Sequence, residues 1–224
     1  MATILLSAAG AAIGSGFGGS VLGLSGAVIG RAIGATAGRA IALIPGTGEY
    51  ALATTPVTFE DAPGVIRNVN TSTLAGVTDM ALSIDQLGEE LPLVEQVSMV
   101  VSWFGSDLRC GLCPVQPKVE QATSDSAEMP WTVSGLTRSA AMAVPLLSGA
   151  PVYGGSPSDA SVAECITALR DAGKTVMFYP FILMDQLEGN TLTNPYDGSG
   201  SQPVLPWRGR ITTSLAPRFA RDTG

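Results

Sequence analysis

The 224-residue chain contains no histidine. That removes the commonest general base, the commonest metal ligand and every Ser-His-Asp or Cys-His arrangement. Charge is also scarce: 14% of residues are charged, against about 25% in an average soluble protein. A surface so poor in charge is expected to be covered in large part by neighbours. Three cysteines, Cys110, Cys113 and Cys165, are too few to form a disulfide framework for this length. Basic residues are few and unevenly placed. Residues 1–48 hold two arginines and no acid, a balance of +2, and the remainder holds 19 acids and 10 bases, a balance of −9. The main part of the chain is therefore not expected to bind nucleic acid, which depends on Lys and Arg neutralising phosphates.

Glycine and small apolar residues are what the chain has in abundance, concentrated in residues 1–44. Gly10, Gly14 and Gly18 recur every fourth residue, and so do Gly26, Gly30, Gly34 and Gly38. Between them Ile13, Phe17, Val21, Leu24 and Val28 step by four, four, three and four, a helical period. The pattern predicts a helix with one bare face and one bulky face, and small residues at this spacing let two helix backbones approach closely. Each glycine inside a helix costs roughly 0.5–1 kcal/mol relative to alanine. Such a helix is expected to be clamped by copies of itself, by partner chains or by lipid. The apolar run 2–30 exceeds the ~20 residues that cross a bilayer, which makes membrane contact through 1–44 a further expectation.

The breakers Pro45-Gly46-Thr47-Gly48 close this segment, and a domain boundary is placed after residue 44, with a second domain over 45–224. Within it, residues 49–59 read as a short strand or extended loop and 60–73 as turns. Residues 79–91 read as a helix with Asp79 as cap and Met80, Ile84, Leu87 and Leu91 on one face. The near-continuous apolar run 97–104 reads as a strand buried on both faces. Residues 114–130 read as loop, 131–133 as a short strand and 137–144 as a weak helix. A βαβ unit is expected from a strand at 151–153, a helix at 159–172 capped by Ser158 or Asp159, and a strand at 175–183; a last strand is expected within 205–214. The order is α/β.

Five strings, IALIPGTGEYALATTP (41–56), VSMVVSWFGSDLRCGLC (97–113), PVYGGSPSD (151–159), TVMFYPFILMD (175–185) and QPVLPWRGRIT (202–212), and the glycine-rich opening are spread along most of the chain. They resemble the TIM-barrel-like, glycoside-hydrolase-like domain of the megatron family, the large tail-tip proteins of gene transfer agents and related siphophages. Residues 45–224 are fewer than the ~250 of an eight-fold barrel, so a partial or degenerate TIM-barrel-like domain is expected. The family proteins are far longer than this chain. The resemblance implies a structural virion protein at the distal end of the tail, in the baseplate hub. There it would form a homo-oligomer, a trimer on the tail axis, with other tail-tip and tape-measure proteins and would meet the host envelope. The alternative it implies is a glycoside hydrolase acting on envelope polysaccharide.

Barrel chemistry sits just past the strands' C-terminal ends. The acids so placed are Asp107, Asp159 and Asp185, and glycoside hydrolysis needs two carboxyl groups about 5–9.5 Å apart. Each also has an ordinary reading, Asp159 as a helix cap and the other two as solvated loop acids. Trp103, Tyr179 and Trp207 could stack on a sugar or pack in the core. Cys110 and Cys113 form a lone C-x-x-C, half a zinc site at most, open to a redox pair or to a site shared between subunits. Neither a metal nor a cofactor is expected.

Overall fold

The computed structural model describes residues 39–45, 48–72 and 76–206, with the backbone at 20–21 and 24–25. The seven laddered glycines and Trp207 lie outside the described residues. So does the last strand expected within 205–214, apart from Leu205 and Pro206, which are not strand.

In chain order the strands are β1 (Ser20–Val21), β2 (Leu24–Ser25), β3 (Ala40–Leu43), β4 (Thr58–Ala62) and β5 (Val65–Asn68). Helix α1 (Asp79–Glu90) leads into the long β6 (Gln96–Gly105). Short strands follow: β7 (Val115–Gln116), β8 (Lys118–Val119), β9 (Thr132–Val133), β10 (Leu136–Thr137), β11 (Met142–Ala143), β12 (Leu146–Leu147) and β13 (Ala150–Pro151). Helix α2 (Asp159–Asp171) and the ten-residue β14 (Thr175–Met184) complete the order.

The central sheet runs β14-β6-β3, all parallel, with β7 antiparallel against the end of β6. β6 and β14 pair along their whole length, from Gln96↔Thr175 to Gly105↔Met184. Strand neighbours in a sheet share a face, and alternate residues along each strand turn to opposite faces. Val97, Met99 and Val101 of β6 join Met80, Leu87, Cys165 and Leu169 of the helices in one buried cluster, so α1 and α2 cover the same face. Fully burying a side chain such as Met99 or Leu169 contributes roughly 1.5–3 kcal/mol. The opposite face carries Met177 and Tyr179, which are exposed. A second cluster, around the fully buried Trp131, joins Tyr50, Val57, Phe59 and Val119.

Local chemistry accounts for both helices. The Thr78 hydroxyl accepts the Ala81 N–H at 3.3 Å, so Thr78 and not Asp79 caps α1. The Ser158 hydroxyl accepts the Ser161 N–H at 3.1 Å and caps α2. Gly173 takes φ +76°, and the N–H groups of Gly173 and Lys174 return to Arg170 and Leu169, closing α2 by the usual left-handed exit.

Several expectations are corrected. No closed barrel is present among the described residues. The predicted N-terminal helix fails at both places where its backbone is described: Ser20 and Val21 pair antiparallel with Ser25 and Leu24, and Ala40–Leu43 is a strand of the central sheet. At Ala40–Leu43 the pairing with β6 satisfies the backbone that a helix would otherwise satisfy internally. The predicted βαβ partner of β14 is also wrong. Ala150–Pro151 belongs to a separate two-stranded hairpin with β12, and the parallel partner of β14 is β6, far earlier in the chain. Residues 137–144 form one 3-10 turn at Arg138–Ala140 and the strand β11, not a helix. The turn-rich 60–73 holds a hairpin, β4 against β5, turned at Pro63-Gly64 with Gly64 at φ +76°.

Candidate functional site

The C-terminal ends of β6 and β14 lie side by side, because the Asp185 N–H donates to the Gly105 carbonyl at 3.1 Å. This brings Asp107 and Asp185 to one end of the sheet. Asp107 accepts from Arg109 through both carboxylate oxygens, at 2.6 Å to Oδ2 and 3.0 Å to Oδ1, and from Gln202 Nε2 at 2.8 Å. Burial pushes the Asp107 carboxyl up, but the Arg109 and Gln202 hydrogen bonds outweigh it and hold it below its ordinary range. A general acid needs the opposite shift. Asp185 is 3% exposed and accepts from Lys118 Nζ at 2.5 Å, with the lysine 4% exposed. Tyr153 stands beside them, its hydroxyl donating to the Met184 carbonyl at 3.3 Å. Burial and the nearby Asp185 charge push the Tyr153 phenol up.

Asp159 is elsewhere. It begins α2 on the helix-covered side of the sheet, where it accepts the Ser134 N–H at 2.8 Å. It lines a mainly apolar cleft of about 310 Å³ with Trp103, Val101, Val133, Phe178 and Ile182. Trp103 therefore faces that cleft. Tyr179, in register with Val100, lies on the opposite face of the sheet and is 44% exposed. The two aromatic rings cannot line one sugar subsite. Of the predicted acids, only Asp107 and Asp185 come together, and each is taken up by a cation.

The densest polar arrangement was not anticipated. Arg138, 3% exposed, uses all five guanidinium N–H donors. Nη1 donates to Glu49 Oε1 at 3.1 Å and to the Gln121 carbonyl at 2.8 Å. Nη2 donates to Glu49 Oε2 at 2.6 Å and to the Tyr50 hydroxyl at 3.1 Å, and Nε donates to Asp125 at 2.9 Å. The guanidinium also lies 5.5 Å from the centre of the Phe59 ring. Burial pushes Glu49 up and Arg138 pulls it back. Burial alone would lower Arg138, and its acidic partners outweigh that and raise it. Gly155, at φ +80°, closes over this knot: a Cβ there would sit 2.9 Å from the Glu120 nitrogen and from Glu49 Cγ. Glu49 and Arg138 are 89 residues apart, so neither composition nor periodicity could have paired them. The only local hint is an acid placed beside an apolar stretch.

Among the described residues no group of three His, Cys, Asp or Glu side chains converges, and no helix is long and apolar enough to cross a membrane. The fold and site together define a mixed α/β protein on a parallel sheet whose strand-end carboxylates are ion-paired. No protein-family model and no curated protein matches the chain.

Proposed function

We propose that this chain is a structural component of a phage or gene-transfer-agent tail tip, in the baseplate hub, and that its body is an arc of a TIM-barrel-like domain. The observation that carries the reading is the state of the strand ends. Barrel chemistry would sit there, yet Asp107 is clasped by Arg109 and Asp185 by the buried Lys118. Such pairs hold shape, and the downward shift at Asp107 is the reverse of what a proton donor needs. The arc is supported by strand order: β3, β6 and β14 are adjacent, parallel and sequential, with both helices on one face. A doubly wound sheet would place helices on both faces. The five strings and the glycine-rich opening carry the tail-tip assignment. In this reading the glycine-rich segment packs against copies of itself around the tail axis, as a trimer implied by that axis, and meets the host envelope.

The test is particle assembly. Replacing Gly30 and Gly34 with leucine puts bulk at two of the recurring small positions and is expected to abolish incorporation into particles or infectivity. Normal, infectious particles from that double variant would overturn the assembly role. Sugar release from host envelopes by the wild type, lost in both Asp107→Asn and Asp185→Asn, would establish the glycosidase alternative instead.

A further inference from the structure

We propose that Cys110, Cys113 and Met184 form a binding site for a soft monovalent metal ion, Cu(I), at the C-terminal end of the central sheet. The first observation is the approach of two sulfurs over Gly105. A Cβ on Gly105 would lie 2.9 Å from Cys113 Sγ and 3.0 Å from Met184 Sδ. Both sulfurs therefore crowd one point, and their separation is at most the sum, 5.9 Å. A side chain at position 105 would have to push both sulfurs aside.

The second observation is the turn before Cys113. Cys110–Leu112 is a 3-10 turn, closed by the Leu112 N–H donating to the Arg109 carbonyl at 3.0 Å. Three residues per turn bring positions 110 and 113 back to one side. Both thiols are free and part-exposed, so an ion can reach them from solvent. Cys165, by contrast, is fully buried in the helix-side core, where burial pushes its thiol up to about 12.

The donor set selects the ion. Zinc requires four ligands, usually thiolates and imidazoles. The chain has no histidine, and no third Cys, Asp or Glu joins the pair among the described residues. Two thiolates and a thioether suit Cu(I), which prefers soft sulfur. Metal–sulfur bonds of about 2.3 Å hold ligand sulfurs within about 4.6 Å of each other, so the unbranched Met184 side chain need move little. Binding replaces two S–H bonds by two metal–sulfur bonds, releases two protons and leaves the thioether neutral. The bound ion would tie the loop after β6 to the end of β14.

The test uses the full chain under anaerobic conditions with a non-thiol reductant, and Cu(I) held by bicinchoninate as the competing chromophore. The wild type is expected to withdraw one equivalent of Cu(I), and Cys165→Ser to do the same. Cys110→Ser/Cys113→Ser is expected to withdraw none. A hydrogen-bonding partner of a metal ligand alone is worth about 10–100-fold in affinity, so Met184→Leu, which keeps the core volume, is expected to weaken binding at least about tenfold. Copper-edge X-ray absorption of the wild type is expected to show three sulfur neighbours, a readout that does not depend on any variant folding. Withdrawal of Cu(I) by the double serine variant, wild-type affinity in Met184→Leu, or oxygen or nitrogen neighbours at copper would each overturn the site.

Discussion

Replacing Arg138 by alanine removes five donors from the buried knot at once. Glu49 is 6% exposed and would keep only the Glu120 N–H at 2.8 Å. Removing one partner of a buried ion pair leaves an uncompensated charge and costs about 3–5 kcal/mol. Asp125 adds little to the loss, because its side chain is 33% exposed and can be solvated. With a urea m-value of about 2 kcal/mol/M, this predicts a fall of about 2 M in the unfolding midpoint at neutral pH. The loss should also depend on pH. Glu49 already has a folded-state value above its ordinary one, because burial penalises its charge. Without Arg138 it rises further. A carboxyl group raised by folding binds more protons folded than unfolded, so its penalty is absent in acid. The penalty grows as pH rises from the ordinary carboxylate value through the raised one. The gap between variant and wild type should therefore be small near pH 4 and full near pH 7. Urea melts at both pH values, followed by circular dichroism, measure it. Equal midpoints at pH 7, or a gap that does not shrink in acid, would refute the claim that Arg138 neutralises a buried carboxylate. Arg138→Met combined with Glu49→Gln should recover part of the loss, since the buried charge goes with its partner.

Four further outcomes follow from the geometry. Gly155→Ala should lose about 1–3 kcal/mol in a urea melt, because φ +80° is strained for alanine and its methyl group meets Glu120 and Glu49 at 2.9 Å. Gly64→Ala, also at positive φ but in open space, should lose only the roughly 1–2 kcal/mol of the backbone strain. Asp185→Asn leaves Lys118 charged in the interior and should cost about 3–5 kcal/mol, whereas the paired replacement Lys118→Met/Asp185→Leu should be milder, as thermal melts of both variants would show. Ser158→Ala removes the cap of α2 and should cost about 1 kcal/mol in the same assay, with Ser158→Gly costing less.

Where neighbours in sequence decide the outcome, the sequence reading was good. Helix α1 was legible from Met80, Ile84, Leu87 and Leu91 at helical spacing and from Pro92 beyond them. Helix α2 was legible from Val162, Cys165, Ile166 and Leu169 with Gly173 as its stop. β6 was legible as a near-continuous apolar run and β14 as an apolar run interrupted by Pro180. A period is a local property, and burying it is favourable against any apolar layer. The placement of Asp107 and Asp185 just past those strands could also be read, because each follows its run directly.

The partners of those residues could not be read. β14 pairs with β6 and not with the nearer segment at 150–151, because register is decided by the whole length of backbone bonding and by the core that both strands share. Arg109 next to Asp107 was visible in the string, but Lys118 against Asp185 and Arg138 against Glu49 join residues 67 and 89 positions apart. Composition determined what this chain does without, and period determined its helices and long strands. Tertiary packing alone decided which charges meet out of water, because the cost of burying a charge depends on what stands beside it in space.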